Sequence, residues 1–149
     1  MKPMLIFPGQ GSQKIGMGKA VFDAFPEARL VHEEVNDALN DNLSRLMFEG
    51  PEEALTLTKN AQPALMASSM AIIRVLEVQG GLKISEFASY VAGHSLGEYS
   101  ALAAGGATTL ADTARLLRTR GTAMQKAVPV GEGKMAAILG LELNKAEEI

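Results

Sequence analysis

The residues Gly93-His94-Ser95-Leu96-Gly97 constrain the fold of this chain more than any other feature of its sequence. They form a G-x-S-x-G pattern, in which two glycines let the backbone turn sharply while the serine hydroxyl projects outward. The apolar run from Ala88 to Ala92 predicts a strand before the turn, and the small residues from Leu96 to Ala104 predict a helix after it. This order predicts an α/β fold and makes Ser95 a candidate nucleophile.

The same five residues also have a purely structural interpretation. The chain contains 15 glycines, so a short glycine and serine pattern carries little information when it is taken alone. A glycine-lined turn that exposes a solvated serine would have the same sequence. The position of the pattern between a predicted strand and a predicted helix favours the catalytic interpretation, because the motif requires that context.

Two segments near the N-terminus fit the same architecture. Met4 to Phe7 is apolar and runs into a glycine loop, which predicts a first buried strand of a parallel sheet. The stretch from Met17 to Leu39 has apolar residues at helical spacing, and Pro26 interrupts it. Because proline removes a backbone donor and clashes with the preceding turn, this stretch predicts two helices.

Two longer helices are predicted further along the chain. One is apolar on nearly all sides, with Pro63 expected at its first helical position and Gly80-Gly81 at its end, which predicts a central helix. The other begins with a capping box formed by Thr109 and Asp112 and runs to about Val128. Helices alternating with short strands are typical of an α/β domain.

A serine nucleophile needs a base, and the chain contains only two histidines. His94 is adjacent to Ser95, and neighbouring side chains at a strand end point away from each other. His32 is followed by Glu33 and Glu34, and we predict that it lies on the exposed face of a helix. In enzymes with this elbow the histidine follows the nucleophile along the chain, so the base is expected beyond Ile149.

The loop Pro8-Gly9-Gln10-Gly11-Ser12-Gln13 does not match a phosphate-binding template, because Lys14 stands where G-x-G-x-x-G needs glycine. A glycine loop after the first strand is able to supply a backbone N–H to an oxyanion hole. Gln10 is the candidate donor, and Leu96, which opens the helix after the serine, is the second. A plain turn remains the alternative interpretation of this loop.

Arg120 lies on an apolar stripe of the last helix, in line with Leu117 and Met124 by three- and four-residue spacing. An arginine in such a stripe either extends its charged end into solvent or meets an anion. A planar guanidinium binds a carboxylate through two parallel hydrogen bonds. The sequence alone leaves both outcomes open.

Composition excludes several functional classes. With Lys+Arg 14, Asp+Glu 17 and a net charge of -3, the chain lacks the basic surface on which many nucleic-acid and anionic-membrane binders rely. Cys 0 removes thiolate metal sites and cysteine nucleophiles, and two histidines leave little for a metal centre. The longest apolar stretch, Ala64 to Ile73, is too short to span a membrane. We therefore expect a cytoplasmic protein without a bound metal.

The C-terminal segment has the pattern of an unfinished β-α unit. Lys134 to Gly140 predicts a strand, and Asn144 is a good N-cap for a helix of which only about one turn precedes Ile149. This pattern predicts that the chain is part of a longer protein.

Several motifs together resemble the malonyl-CoA:acyl carrier protein transacylase family. They are Phe7-Pro8-Gly9-Gln10-Gly11-Ser12-Gln13, Gly16-Met17-Gly18, Gln62-Pro63-Ala64, Gly93-His94-Ser95-Leu96-Gly97-Glu98, and Arg120-Gly121 with Met124-Gln125. Their order and intervals are similar to those of the family from about Leu5 to Leu139.

The resemblance implies that Ser95 carries a malonyl ester between malonyl-CoA and the phosphopantetheine thiol of acyl carrier protein, in type II fatty acid biosynthesis. It also implies oxyanion donors at Gln10 and Leu96, pairing of Arg120 with the malonyl carboxylate, and a pocket lined by Gln62 and Met124. No bound cofactor is implied, and the intact protein is expected to be a monomer. The alternatives are a polyketide synthase acyltransferase domain and a catalytically inert fragment that lacks its histidine base.

The implied fold is an α/β-hydrolase-like core with a parallel sheet and a nucleophile elbow, into which a ferredoxin-like subdomain is inserted. Residues 1–128 would form the N-terminal part of the core. Residues 129–149 would begin the subdomain.

Overall fold

The computed structural model describes residues 2–128, 131–132, 140 and 145 of the chain. Two strands form a parallel sheet, β1 (Met4–Phe7) and β2 (Tyr90–Gly93), with Met4 opposite Tyr90 and Phe7 opposite Gly93. The predicted first strand is confirmed in position, but its expected burial is wrong among the described residues, since Met4 and Ile6 are 53% and 73% exposed and only Phe7 is buried. The second begins two residues later than predicted and includes Gly93, the first residue of the G-x-S-x-G pattern.

Eight helices accompany this sheet in the described residues, so this part of the chain is rich in α-helix. They are α1 (Lys19–Ala24), α2 (Pro26–Leu39), α3 (Leu43–Glu49), α4 (Glu52–Thr56), α5 (Thr58–Gly80), α6 (Ile84–Phe87), α7 (Leu96–Ala104) and α8 (Leu110–Ala127). The predicted break at Pro26 is confirmed, since proline occupies the first position of α2. The capping box is also confirmed, because the Thr109 side chain accepts a hydrogen bond from the Asp112 backbone N–H.

The predicted position of Pro63 is wrong. The helix begins at Thr58, five residues earlier, and Pro63 lies inside it. Asn60 and Ala61 already bond to the carbonyl of Leu57, so the first turn is complete before the proline. Proline has no backbone N–H, so the helix lacks one hydrogen bond, the one to the carbonyl four residues earlier. This long helix continues in spite of that missing hydrogen bond. The predicted end is confirmed, because Gly81 caps the helix in the left-handed conformation.

Helix α5 is the centre of the core, as its apolar sequence predicts. It packs against α8, α2 and α7, and every residue from 60 to 67 is buried. Phe7 of β1 and Leu96 of α7 belong to the same core cluster. The sheet and the helices on which the candidate site residues lie are therefore joined through α5.

His32 is buried, which contradicts the prediction of an exposed helix face. Its side chain is 1% exposed, and it belongs to the stripe Ala28, Val31, His32 and Val35 by which α2 enters the core. The two following glutamates suggested a solvated face, but residues three and four apart determine which side of a helix is buried.

The environment of His32 is aromatic. Its ring lies 5.5 Å from that of Phe22 and 5.4 Å from that of Phe48, centroid to centroid, and its Nε2 atom has no hydrogen-bond partner among the described residues. Burial lowers the pKa of His32 from 6.5 to about 4, because the charged imidazolium would lose its hydration.

We expect this histidine to make the folded state less stable in acid. Between about pH 6.5 and pH 4 the unfolded chain binds a proton at His32 and the folded chain does not, so the free energy of unfolding falls as the pH falls. The contribution to that fall is about 2 kcal/mol between pH 7 and pH 5. Urea unfolding of the wild type and of His32→Phe over this range measures it. The variant should show a flatter dependence, and parallel curves would contradict the assignment.

The sequence predictions for Lys134 to Gly140 and for a helix after Asn144 lie outside the described residues, apart from the isolated positions 140 and 145. Within the residues that are described, no helix is both long enough and apolar enough to cross a membrane.

Candidate active site

The turn between β2 and α7 has the geometry that the G-x-S-x-G pattern predicts. The strand ends at Gly93, the helix begins at Leu96, and Ser95 has a positive φ of 55° with ψ -110°, which is unusual for a residue other than glycine. A Cβ atom at Gly93 would lie 1.9 Å from the carbonyl carbon of Gly97, and one at Gly97 would lie 2.4 Å from the backbone oxygen of Phe7. Both positions therefore require glycine for steric reasons. The close contact between the backbones of Gly93 and Gly97 makes the turn tight, and Ser95 lies at this turn, at the end of the strand.

Leu96 follows the serine at the first position of α7. Its side chain is buried in the core, which anchors the start of the helix. The amides of Gly97 and Glu98 bond to the carbonyls of His94 and Ser95. The Leu96 amide has no earlier helical carbonyl within reach, as is general for the first residue of a helix. This geometry keeps Leu96 a candidate oxyanion donor.

The glycine loop lies beside the elbow. A Cβ atom at Gly9 would lie 2.3 Å from Nδ1 of His94, so the imidazole packs directly against this loop. The Gln10 side-chain amide donates to Oγ1 of Thr58 at 3.2 Å, which ties the loop to the start of α5. Its side chain is engaged in that bond, and its backbone N–H is the predicted oxyanion donor.

Arg120 connects the candidate residues of three helices. Its Nη2 atom donates to Oγ of Ser95 at 3.0 Å, and its Nη1 atom donates to Oε1 of Gln62 at 2.7 Å. The Gln62 amide nitrogen in turn donates to the sulfur of Met124 at 3.3 Å. Four residues singled out from the sequence thus form one hydrogen-bonded chain, and the Arg120 guanidinium is directed at Ser95.

The charge of Arg120 has no carboxylate partner among the described residues, whose ion pairs all involve other cations. The contacts of Arg120 are neutral groups, the serine hydroxyl and the Gln62 carboxamide. A half-buried guanidinium that lies beside the candidate nucleophile and has no anionic partner is suited to bind an anion.

Two further residues shape the site: Gly121, which the sequence motifs include only without a role, and Tyr99, which they do not include. Gly121 is buried, and a Cβ atom there would lie 2.6 Å from the backbone oxygen of Thr58, so only glycine lets α8 approach the start of α5 this closely. Tyr99 has its ring centroid 5.7 Å from Cζ of Arg120. The sequence signal for Tyr99 is its position in the first turn of the helix that follows Ser95.

Neither histidine provides a base for Ser95 in this arrangement. His32 is buried in the aromatic cluster of α2, and His94 packs against Gly9. Arg120 donates to the serine hydroxyl, and a guanidinium has no acceptor atom for the serine proton. Within the part of the chain that the structure describes, no group of three His, Asp or Glu side chains is arranged to hold a metal ion.

Comparisons with known proteins show the family of this chain. The family model described as "Acyl transferase domain" matches residues 4–148. The malonyl CoA-acyl carrier protein transacylase of Bacillus subtilis (strain 168) is 46% identical over 148 residues, which are 99% of this chain and 45% of the relative.

Solved structures give the same result. The acyl-carrier-protein-S-malonyltransferase from Bartonella henselae is 61% identical with a TM-score of 0.92, covering 99% of this chain and 47% of that one. A malonyl-transacylase in complex with its type II PKS acyl-carrier protein is 44% identical with a TM-score of 0.80, covering 87% of this chain and 40% of that one. The chain thus spans less than half the length of these relatives. Because the family model covers nearly all of it, the chain belongs to the acyl transferase family.

Proposed function

We propose that the full-length protein transfers a malonyl group from malonyl-CoA to the phosphopantetheine thiol of acyl carrier protein, through a malonyl ester on Ser95. The observation that carries this proposal is the 3.0 Å contact between Nη2 of Arg120 and Oγ of Ser95, made by a guanidinium without a carboxylate partner. An acyl group that is bound at Ser95 and ends in a carboxylate would supply that partner. The names of the relatives support the same substrate.

The reaction proceeds in two acyl transfers. Oγ of Ser95 attacks the thioester carbon of malonyl-CoA, its proton passes to a base, and the carbon–sulfur bond breaks to release coenzyme A as a thiol. The thiol of the carrier then attacks the ester and restores the serine hydroxyl. We place the base outside these 149 residues, because His32 is buried and His94 packs against Gly9.

The oxyanion formed in each step is stabilised by the backbone N–H groups of Leu96 and Gln10. The position of Leu96 at the start of α7 and the packing of the Gly9 loop on the elbow support these roles. Gln62 and Met124 border the acyl pocket, and the bond from Arg120 to Gln62 supports this assignment.

Selectivity for malonyl over acetyl follows from the arginine. An acetyl group has no carboxylate, so the Arg120 guanidinium stays without an anion in a partly enclosed site. The ion pair that a malonyl carboxylate would form with Arg120 is then missing. The Arg120 side chain therefore stabilises the transition state only for acyl groups that carry a terminal carboxylate.

The remaining features of the proposal concern the whole protein. Residues 1–128 form the N-terminal part of an α/β-hydrolase-like core, and residues 129–149 begin a ferredoxin-like subdomain. The protein acts in the cytoplasm as a monomer, uses malonyl-CoA as a substrate and needs no bound cofactor. The short parallel sheet and the strand-turn-helix at Ser95 support the core assignment.

A polyketide synthase acyltransferase is the second candidate, favoured by the similar structure that contains a type II PKS carrier. The chemistry at Ser95 is the same in both cases. Transfer assays with a fatty acid carrier and with a polyketide carrier, compared by the rate at which each is loaded, separate the two.

The function is tested by acyl loading of the full-length protein and of Arg120→Ala. We expect the wild type to gain the mass of one malonyl group on the peptide that contains Ser95, and to load acetyl poorly. In Arg120→Ala the preference for malonyl-CoA over acetyl-CoA should fall by roughly 100-fold, because an ion-paired contact is lost.

Arg115→Ala is the matched control, since Arg115 lies on the same helix and pairs with the exposed Asp112. Its selectivity should equal that of the wild type. Malonyl mass on another peptide, or unchanged selectivity in Arg120→Ala, would contradict the proposal.

A further inference from the structure

The Arg120 side chain is flexible by nature, and its position relative to Ser95 needs a physical cause. Arginine has several rotatable bonds, so a guanidinium is held in one place only when neighbouring groups restrict it. Gln62 restricts one edge through the 2.7 Å bond to Nη1. Together with the bond from Nη2 to Oγ of Ser95, this bond holds two nitrogens by their N–H groups, but neither bond places a group against the face of the guanidinium.

Tyr99 restricts the face of the guanidinium. Cζ of Arg120 lies over the Tyr99 ring at 5.7 Å from the centroid, within the range of a cation–π interaction. Tyr99 is half-buried and packs on the core cluster, so its ring is a fixed surface. It lies one helical turn after Ser95, and both residues are carried by the same end of α7.

An aromatic ring has a specific advantage at this place. A carboxylate beside Arg120 would hold the cation but would also occupy the N–H groups that a substrate carboxylate needs. The face of a ring attracts the cation and leaves those donors in the plane of the guanidinium free. The two residues that touch Arg120 from α5 and α7, Gln62 and Tyr99, are both uncharged.

We propose that Tyr99 is a positioning residue, whose ring holds the Arg120 guanidinium at Ser95 and thereby sets the preference for acyl groups that end in a carboxylate. This inference rests on the proposed malonyl transfer. Tyr99 does not touch the reacting atoms, and its effect is exerted through Arg120.

The test compares Tyr99→Leu and Tyr99→Phe in the full-length protein, with malonyl-CoA and acetyl-CoA as donors. We expect Tyr99→Leu to raise KM for malonyl-CoA roughly tenfold, because the cation loses its aromatic surface. Acetyl loading and the kcat for malonyl transfer should change by less than about twofold. Tyr99→Phe keeps the ring and should behave as the wild type. Tyr90→Leu, which changes the only other tyrosine, is the matched control.

A spectroscopic measurement checks the contact without activity. In 15N-labelled protein the Arg120 Nε–H resonance, assigned by its loss in Arg120→Ala, should show an aromatic ring-current shift. The shift should persist in Tyr99→Phe and disappear in Tyr99→Leu. This readout applies even if the leucine variant is less stable, since it is recorded on the folded fraction.

The outcomes separate the two proposals. An unchanged malonyl preference in Tyr99→Leu overturns the role of Tyr99, while malonyl loading by the wild type leaves the proposed function intact. If Tyr99→Leu loses activity equally with malonyl-CoA and acetyl-CoA, Tyr99 has only a structural role and the inference is overturned. A loss of the malonyl preference in Tyr99→Phe assigns the effect to the tyrosine hydroxyl, and it also overturns the proposed role of the ring. Failure of the wild type to load malonyl rejects the proposed function, and an absent ring-current shift independently rejects the contact.

Discussion

Replacing Ser95 with alanine is expected to abolish acyl-enzyme formation. Under the proposed mechanism Oγ of Ser95 forms the ester, so loading of the full-length variant from malonyl-CoA should fall by roughly 10⁴-fold or more. The side chain is exposed at the turn, and its hydroxyl contributes one hydrogen bond, to Arg120. Its removal should leave the fold in place. Intact-mass measurement after incubation with malonyl-CoA reports the loss, and circular dichroism reports the fold.

Two further substitutions sharpen this prediction. Ser85→Ala changes an exposed serine of α6 and should load as the wild type does. Ser95→Gly should also fail to load, but it should be more stable than Ser95→Ala by about 1–2 kcal/mol, because glycine adopts φ 55 without the strain of a side chain. Loading by either variant at position 95 would reject Ser95 as the nucleophile. Equal stability of the two would reject backbone strain at the elbow.

Replacing Gly93 with alanine is expected to have the largest effect on stability. The new Cβ would lie 1.9 Å from the carbonyl carbon and 2.0 Å from the carbonyl oxygen of Gly97. Both are backbone atoms at the start of α7, and no side-chain rotation relieves the overlap. The free energy of unfolding should fall by about 4 kcal/mol or more, since β2 and α7 must separate. Denaturant unfolding measures the change, and loading at Ser95 should be lost with it.

Gly80→Ala is the matched control for this substitution. A Cβ atom at Gly80 would meet no heavy atom within 4 Å apart from its chain neighbours and the backbone of its own helix, and Gly80 lies at the end of α5. The same chemical change should therefore alter stability by less than about 0.5 kcal/mol. Similar losses in both variants would show that the steric argument for Gly93 is wrong.

Much of the local structure was predictable from short-range rules. The break at Pro26, the capping box of Thr109 with Asp112 and the strand-turn-helix around Ser95 each depend on residues a few positions apart. Such features follow from backbone geometry, which is the same in every protein. The sequence therefore identified the elbow before any tertiary contact was known.

The errors have a common origin. The two acidic neighbours of His32 predict an exposed face, and the preference of proline for the first helical position predicts a helix start at Pro63. Tertiary packing decided both positions. Helix α2 turns His32 toward Phe22 and Phe48, and α5 extends five residues before Pro63 because its first turn bonds to the carbonyl of Leu57.

The sequence by itself determined which residues are candidates for the chemistry: a serine on a glycine-bounded turn, an arginine on an apolar helical stripe, and a glycine loop after the first strand. Only the tertiary structure decided which of them meet. Arg120 contacts Gln62 from 58 residues away and Ser95 from 25 residues away. Helical periodicity assigns a side chain to a face, but it does not say which element covers that face. Close packing decides that here, since Gly121 lets α8 approach α5 and brings the guanidinium to the nucleophile.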